Sequence, residues 1–271
     1  MDILLWLSLV AKMLATAAIV VAASKVAERA DAFLAGLMVT LPVSAGPALA
    51  FLAIEHGAAF VTKSTLTSLA ANATTGMFVV VYAFLAQRLP LSISLGSALL
   101  FWGLTVSELL TWAWTLELAL ALNFASFTLG ILLTRPLVAQ QKPRPAPVRK
   151  WWDVPFRALL VMLLVGAVLL TGQVFGPTVA GVATMTPIVL ISIAIILQPR
   201  MGGHAAAEVL IKALPGMYGV SLGLALVNLA AIPLGIAWAL SLGLAVCLVW
   251  NASLILARTA RNRDQVRAPR V

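Results

Sequence analysis

The chain has 271 residues, of which 62% are hydrophobic and 10% are charged. These proportions lie far outside the range of soluble globular proteins and exclude that class. The formal net charge of +9 would also suit a nucleic-acid-binding protein, but the basic residues cluster beside apolar segments, where membrane topology explains them. A single cysteine, Cys247, excludes an internal disulfide and a cysteine metal cluster.

The apolar segments predict an all-α polytopic transmembrane helix bundle, because a span needs about 20 apolar residues. We expect nine spans, at residues 3–24, 33–54, 65–86, 91–110, 114–134, 154–173, 177–198, 209–230 and 233–257. Weak turn signals within 91–134 leave one helix or two open there, and the charges favour two. The N-terminus lacks the basic region of a cleaved signal peptide, so we expect the first segment to remain as a membrane helix.

Charge placement predicts the orientation. With the N-terminus outside, most of the 18 lysines and arginines fall on the inner side, as expected for cytoplasmic loops. We therefore expect a multi-pass protein of the plasma membrane, that of a bacterial inner membrane, with its C-terminus in the cytoplasm. The lipid bilayer is its main partner, and the basic segments should contact anionic lipid headgroups.

Composition divides the chain into five parts. They are a first transmembrane repeat (1–110), a linking transmembrane helix (111–139), a basic proline-rich cytoplasmic linker (140–152), a second transmembrane repeat (153–257) and a basic cytoplasmic tail (258–271). The linker should be extended and solvated because of its prolines.

The two repeats are predicted from matches at an offset of 145 residues. The matched positions are Lys12 with Arg157, Gly36 with Gly181, Pro42 with Pro187, and Gly57 with Gly202. Five helices separate equivalent positions, so the halves would enter the membrane in opposite directions. Inverted repeats with Gly/Pro-interrupted helices are typical of secondary transporters. The alternative is a duplicated scaffold with proline kinks and no transport path.

Each half also resembles the small four-helix membrane proteins of the GlpM-like family. The first half carries Ala35-Gly36-Leu37, Pro42 and Gly76-Met77, and the second carries Ala180-Gly181-Val182, Pro187 and Gly216-Met217. The resemblance implies a tandem fusion that covers most of each half. It transfers neither an activity nor catalytic residues, and the doubled length and the linking helix depart from the family.

Two cations are candidate substrate-binding residues. Lys12 lies nine residues into the first segment, or about 13 Å, close to the bilayer midplane. A lysine there is costly and marks a functional site by default. The alternatives are snorkelling to the outer surface and a static pair with Glu117. Arg157 lies nearer the inner interface, where snorkelling is favoured.

Further candidates surround the two predicted helix breaks. A proline frees a backbone carbonyl, which hydroxyls, protein or water must satisfy in lipid. Capping is favoured over ligand contact for the hydroxyls, although both roles can coexist. The residues at the breaks are Gly36, Thr40, Pro42, Ser44, Gly181, Thr184, Thr186 and Pro187. Asn72 joins them because it precedes two threonines in an apolar helix, with interhelical hydrogen bonding as its default role.

The sequence thus predicts a secondary transporter or exporter of a small-molecule substrate, whose negative charge Lys12 and Arg157 would favour. The alternative is a non-transporting membrane scaffold or assembly subunit, and a homo-oligomer stays open. No hydrolase motif, cofactor motif or metal-ligand spacing is recognisable, so we expect no enzyme, cofactor or metal. His56 and His204 are interpreted as exposed loop residues on opposite faces, with a proton entry point at Glu55-His56 as the alternative.

Overall fold

A computed structural model describes residues 3–28, 45–139 and 150–267. Within these ranges the regular structure is entirely α-helical, which confirms the predicted all-α class. The nine helices there are α1 (Ile3–Glu28), α2 (Ala45–His56), α3 (Ala58–Leu85), α4 (Leu91–Leu109), α5 (Leu116–Ala139), α6 (Asp153–Thr184), α7 (Ile188–Met201), α8 (Gly203–Ala230) and α9 (Ile236–Arg267).

Six of the described helices are long and apolar enough to cross a membrane, namely α3, α4, α5, α6, α8 and α9. Two shorter apolar stretches, Trp6–Ala22 in α1 and the whole of α7, accompany them. By length and composition the chain is therefore a multi-pass helical membrane protein.

Helices α3 and α8 form the centre of the bundle. In their most apolar stretches 78% and 61% of the residues are buried, against 22% in α4 and in α9. The outer helices expose large apolar side chains such as Leu104 and Val249. Such surfaces suit contact with lipid hydrocarbon rather than water. The most buried contacts, and the polar groups that they enclose, thus lie along α3 and α8.

The two central helices run in opposite directions. Near the start of α3, the Thr62 carbonyl oxygen accepts a hydrogen bond at 2.7 Å from Asn228 Nδ2, near the end of α8. Halfway along α3, Asn72 Nδ2 donates at 3.1 Å to Ser221 Oγ, which precedes Asn228 on α8. The later position on one helix meets the earlier position on the other, so α3 and α8 are antiparallel.

Helix boundaries recur at a constant spacing. Helix α3 covers residues 58–85 and α8 covers 203–230, while α4 begins at 91 and α9 at 236. A single glycine precedes each central helix: Gly57 has φ 82° and ψ −177°, and Gly202 has φ 84° and ψ 164°. Only glycine adopts such angles readily. The 145-residue offset seen in the sequence therefore also relates the bounds and the junctions of these helices.

Several predicted boundaries need correction. Helices α3 and α8 begin at residues 58 and 203 rather than 65 and 209, because the polar residues taken for loops lie on helical turns. His56 ends α2 and His204 lies in the first turn of α8, so neither is a loop residue. The split of 91–134 is confirmed, since α4 ends at Leu109 and α5 begins at Leu116.

The predicted sixth and seventh segments meet differently from expectation. Helix α6 runs on to Thr184 across a kink at Gly176, whose φ is 78°. The chain then breaks at residues 185–187 before α7. The predicted seventh segment, 177–198, is therefore a broken helix whose first part continues α6. The predicted break in the first half falls on residues 29–44, outside the described ranges.

Candidate functional site

The break between α6 and α7 is buried against α3. The Ser68 hydroxyl oxygen lies 2.8 Å from the Gly181 carbonyl oxygen and 2.8 Å from Thr184 Oγ1. Two turns further along α3, Thr75 Oγ1 donates to the Met185 carbonyl oxygen at 3.1 Å. Helix α3 thus supplies hydroxyls to carbonyls that the break leaves without a helical donor. Thr184 takes part in the capping that the sequence favoured for it.

Gly181 lets this break approach α3 closely. A Cβ atom at position 181 would overlap the Ser64 carbonyl group and the Thr67 side chain. Helix interfaces in membranes use small residues in this way, because close backbone approach maximises packing. Pro187 precedes the first turn of α7, and the half-buried Thr186 stands beside it.

Asn72 lies one turn beyond Ser68 on the same face of α3. Its Nδ2 donates to Asn123 Oδ1 of α5 at 3.0 Å and to Ser221 Oγ of α8. Ser221 Oγ in turn donates to Asn123 Oδ1 at 2.9 Å. All three side chains are at least 97% buried. Asn72 therefore joins three helices through interhelical hydrogen bonds, which was its default expectation.

These groups form a central polar cluster, defined by Ser68, Asn72, Thr75, Asn123, Thr184 and Ser221. It extends from the helix break to the crossing of α3 and α8 and contains no charged residue. The α3 members of the cluster are predictable from the sequence, because Ser68, Asn72 and Thr75 recur at helical spacing on one face. Ser221 was missed, although it lies two turns before Asn228 in the apolar second half of α8.

Lys12 forms an ion pair with Glu55, which links α1 to the last turn of α2. The Lys12 and Glu55 side chains are 19% and 16% exposed. The His56 ring, next to Glu55, stacks on the Phe60 ring at a centroid distance of 4.2 Å. The partner of Lys12 is thus Glu55 rather than Glu117, which lies exposed in the first turn of α5.

A second ion pair links the start of α6 to the last turn of α7. Arg200 Nη1 and Nη2 donate to the two carboxylate oxygens of Asp153 at 2.7 and 2.5 Å. The guanidinium also lies over the Trp152 ring, 4.7 Å from its centroid. This bidentate geometry makes a strong and directional contact.

The two ion pairs occupy matching places in the two halves. Glu55 and Arg200 are 145 residues apart, and each stands two residues before the glycine that opens a central helix. Lys12 corresponds to Arg157, which lies one helical turn after Asp153. In each half, therefore, a charge on the first long helix holds the end of the short helix.

Lys12 and Arg157 are not neighbours at one level of the bundle. Met13, next to Lys12, packs where a Cβ atom on Gly166 of α6 would stand. Arg157 precedes Gly166 by nine residues, or about 13 Å of helix. Four further candidates, Gly36, Thr40, Pro42 and Ser44, lie outside the described residues. Within the described ranges no three His, Cys, Asp or Glu residues are grouped as metal ligands would be.

No family model matches the chain, and no curated protein or solved structure is detectably similar to it.

Proposed function

We propose that the protein is a small secondary transporter or exporter that moves a small solute between inverted repeats. The observation that carries the proposal is the matching position of the Lys12–Glu55 and Asp153–Arg200 pairs at the ends of two short helices. In this mechanism each pair closes one side of a central path, and the two open in turn.

The relationship between the halves supports this mechanism. Helices α3 and α8 share their bounds at a fixed offset, share their glycine junctions and run antiparallel. An antiparallel pair of equivalent helices is what two inverted repeats would produce at their interface. In such proteins the substrate site lies near the midplane at the repeat interface, beside discontinuous helices. The central polar cluster has this position relative to α3, α8 and the break.

The ion pairs also bear on the charge of the solute. Glu55 offsets the charge of Lys12 while the two are paired. Lys12 would therefore attract an anionic solute only when Glu55 releases it. This makes substrate attraction and opening of the Lys12–Glu55 pair a single event. No nucleotide-binding motif is recognisable in the sequence, so an ion gradient or a separate partner would drive transport.

The alternative is a non-transporting scaffold or assembly subunit, and one observation favours it. The hydrogen bonds of the central polar cluster are largely satisfied within the cluster and by nearby carbonyl groups. A closed, dry cluster of this kind would stabilise a static bundle equally well. The two functions differ in whether the break at residues 185–187 ever meets water.

Thiol accessibility at Thr186 tests the proposal. Cys247 is first replaced by alanine, and Thr186→Cys is then labelled with a membrane-impermeant reagent from either side of sealed vesicles. Glu55→Lys places two cations together and should open the Lys12 side, so labelling from the outer side should rise. Arg200→Glu should open the Asp153 side, so labelling from the inner side should rise. Restoring the first pair with Lys12→Glu in the Glu55→Lys variant should reverse its effect.

Matched controls separate gating from a general loss of folding. Glu208 and Lys212 form an ion pair within α8 alone, so Glu208→Lys should leave labelling of Thr186→Cys unchanged. Cysteines at the exposed loop residues Arg88 and Thr111 report access from the two sides. A Thr186→Cys that stays inert in every charge variant, while both loop cysteines react, would overturn transport and favour the scaffold.

The proposed orientation is tested separately. We infer that the N-terminus lies outside, that the C-terminus lies in the cytoplasm and that nine spans connect them in a bacterial inner membrane. Reporters fused to each end should show opposite sidedness, as an odd number of spans requires. Reporters on the same side would contradict the nine-span topology.

A further inference from the structure

We propose that Glu55 and His56 form the binding site of the coupling ion, and that this ion is a proton. The inference rests on the proposed transport function, for which it names the driving ion. It starts from two polar atoms that hydrogen bonding leaves unused at the end of α2.

The two atoms face each other across a short gap. One carboxylate oxygen of Glu55 binds Lys12, whereas the other, Oε2, is buried without a hydrogen-bond partner. His56 Nε2 is likewise buried without one, and it lies 3.7 Å from Glu55 Oε2. Leaving such groups unpaired is costly in a buried environment. A proton on either atom would convert the gap into an N–H···O or O–H···N hydrogen bond once the groups close to bonding distance.

Within the described residues, few other ionisable groups lie near Glu55 and His56. Lys12 reaches the site from α1, and Lys63 is exposed in the second turn of α3. The parts of α6, α8 and α9 that pack near α2, at residues 166–184, 219–230 and 236–246, carry no ionisable side chain. The stacking of His56 on Phe60 fixes the imidazole plane beside the carboxylate.

Proton binding would weaken the Lys12–Glu55 pair by either route. A proton taken from water by Glu55 Oε2 neutralises the carboxylate that holds Lys12. A proton taken by His56 Nε2 makes an imidazolium that bonds the unused Oε2 oxygen, repels Lys12 and so weakens the hold of the carboxylate on it. In both cases Lys12 is released and α1 loses its charged contact with α2. Proton arrival is thereby linked to opening of this side.

The other ion pair lacks this sensitivity. Arg200 and Met201 stand at the positions that correspond to Glu55 and His56. A guanidinium stays charged throughout the physiological range, and a thioether does not titrate. The Asp153–Arg200 pair is therefore expected to open independently of the neutral pH range in which an imidazole changes charge. Because the Lys12–Glu55 pair responds to protons and the Asp153–Arg200 pair does not, proton binding would give the transport cycle a direction.

A buried cysteine behind the Lys12–Glu55 pair reports its opening. Thr16 is fully buried one turn beyond Lys12, and its hydroxyl bonds the Lys12 carbonyl oxygen. Thr16→Cys, in the Cys247→Ala background, is labelled at about pH 8 and about pH 5.5, the range spanning imidazole titration. Its rate is divided by that of Thr111→Cys, because the thiolate fraction of any cysteine falls at low pH. We expect the ratio to rise about fivefold at the lower pH.

Two variants give matched outcomes. Glu55→Gln removes the charge that holds Lys12, so the ratio should be high at both pH values. His56→Gln keeps the Lys12–Glu55 pair, so the rise at low pH should shrink. A ratio that does not change with pH in the otherwise unaltered protein would overturn the proton site.

A second measurement uses nearly unaltered protein. The chain has two histidines, so His204→Gln leaves only the His56 imidazole resonances in a histidine-labelled sample. These resonances should differ between about pH 8 and about pH 5.5, and Glu55→Gln should change that difference. A difference that Glu55→Gln leaves unchanged would contradict the proposal. If Thr16→Cys responds to pH while Thr186→Cys stays inert in all charge variants, the proton site stands and transport fails.

Discussion

Glu55 and Arg200 stand at the same place in the two halves of the chain and carry opposite charges. Each holds its short helix to the preceding long helix, Glu55 through Lys12 and Arg200 through Asp153. The two halves therefore share the position of the ion pair, but the positive and negative residues have exchanged helices.

The Asp153–Arg200 pair should show a larger coupling energy than the Glu208–Lys212 pair. The Arg200 guanidinium makes two parallel bonds to the Asp153 carboxylate, which is a stronger and more directional contact than a single ion-pair bond. The Glu208–Lys212 pair lies within one helix, with Lys212 half exposed, and should contribute about 0.3–0.5 kcal/mol. Double-mutant cycles with Asp153→Asn and Arg200→Gln, against Glu208→Gln and Lys212→Gln, measure both. Equal coupling energies in the two cycles would contradict this ranking.

Gly57 and Gly202 should be equally intolerant of alanine. Both have positive φ with extended ψ, a region that costs other residues about 1–3 kcal/mol. We expect Gly57→Ala and Gly202→Ala each to lower the free energy of unfolding by that amount, as measured by denaturant titration in mixed micelles. Gly46→Ala in α2 is the control, because its Cβ would meet nothing within 4 Å. A large loss at only one of the two junctions would argue against their equivalence.

Gly181→Ala should destabilise the break between α6 and α7. The added methyl group would overlap the Ser64 carbonyl group of α3, and overpacking of this kind costs about 1–3 kcal/mol. Gly96→Ala on the outer helix α4 adds the same atoms in open space and should be neutral or stabilising by up to about 1 kcal/mol. Unfolding in mixed micelles compares the two, and an unchanged stability of Gly181→Ala would mean that α6 does not pack this closely on α3.

Asn123→Ala should cost more than Asn72→Ala. The Asn123 amide group accepts from Asn72 and Ser221 and donates to the Leu69 and Ala119 carbonyl oxygens. Asn72 has two such bonds, and one of them is shared with Asn123. At roughly 0.6 kcal/mol for each interhelical bond, we expect losses of about 2 and about 1 kcal/mol.

The shared bond predicts that the losses are not additive. The double variant should lose less stability than the sum of the single variants, because the Asn72–Asn123 bond is removed only once. Additive losses would show that the two amide groups do not interact in the folded protein.

The apolar runs, and the prolines and turn residues that interrupt them, predicted much of this fold from the sequence. The all-helical class, the split between α4 and α5 and the break before α7 follow from run length, weak turn signals and Pro187. The starts of α3 and α8 did not follow. A single glycine can join two helices without a loop, so the polar residues beyond Gly57 and Gly202 lie on helical turns. Local polarity alone does not distinguish an exposed turn of helix from a loop.

The partners of charged residues were harder to predict than the helices. Lys12 and Glu55 are separated by 43 positions, and their contact depends on how α1 and α2 pack. The 145-residue offset held the missing signal, since it aligns Glu55 with Arg200 and Lys12 with a residue one turn from Asp153. The inverted repeat and the resemblance of each half to GlpM-like proteins stay predictions.

The glycine junctions also constrain how the chain enters a membrane. Helix α7 has 14 residues and is about 21 Å long, which is shorter than a hydrocarbon core of ~30 Å. One residue separates it from α8, so the two form a hairpin whose backbone turns within a single peptide unit. A helix this short gains little free energy by entering the bilayer on its own. The adjacent helix α8 is long and apolar enough to cross the membrane. During biogenesis α7 should therefore leave the translocon together with α8, as one inserting unit, rather than before it.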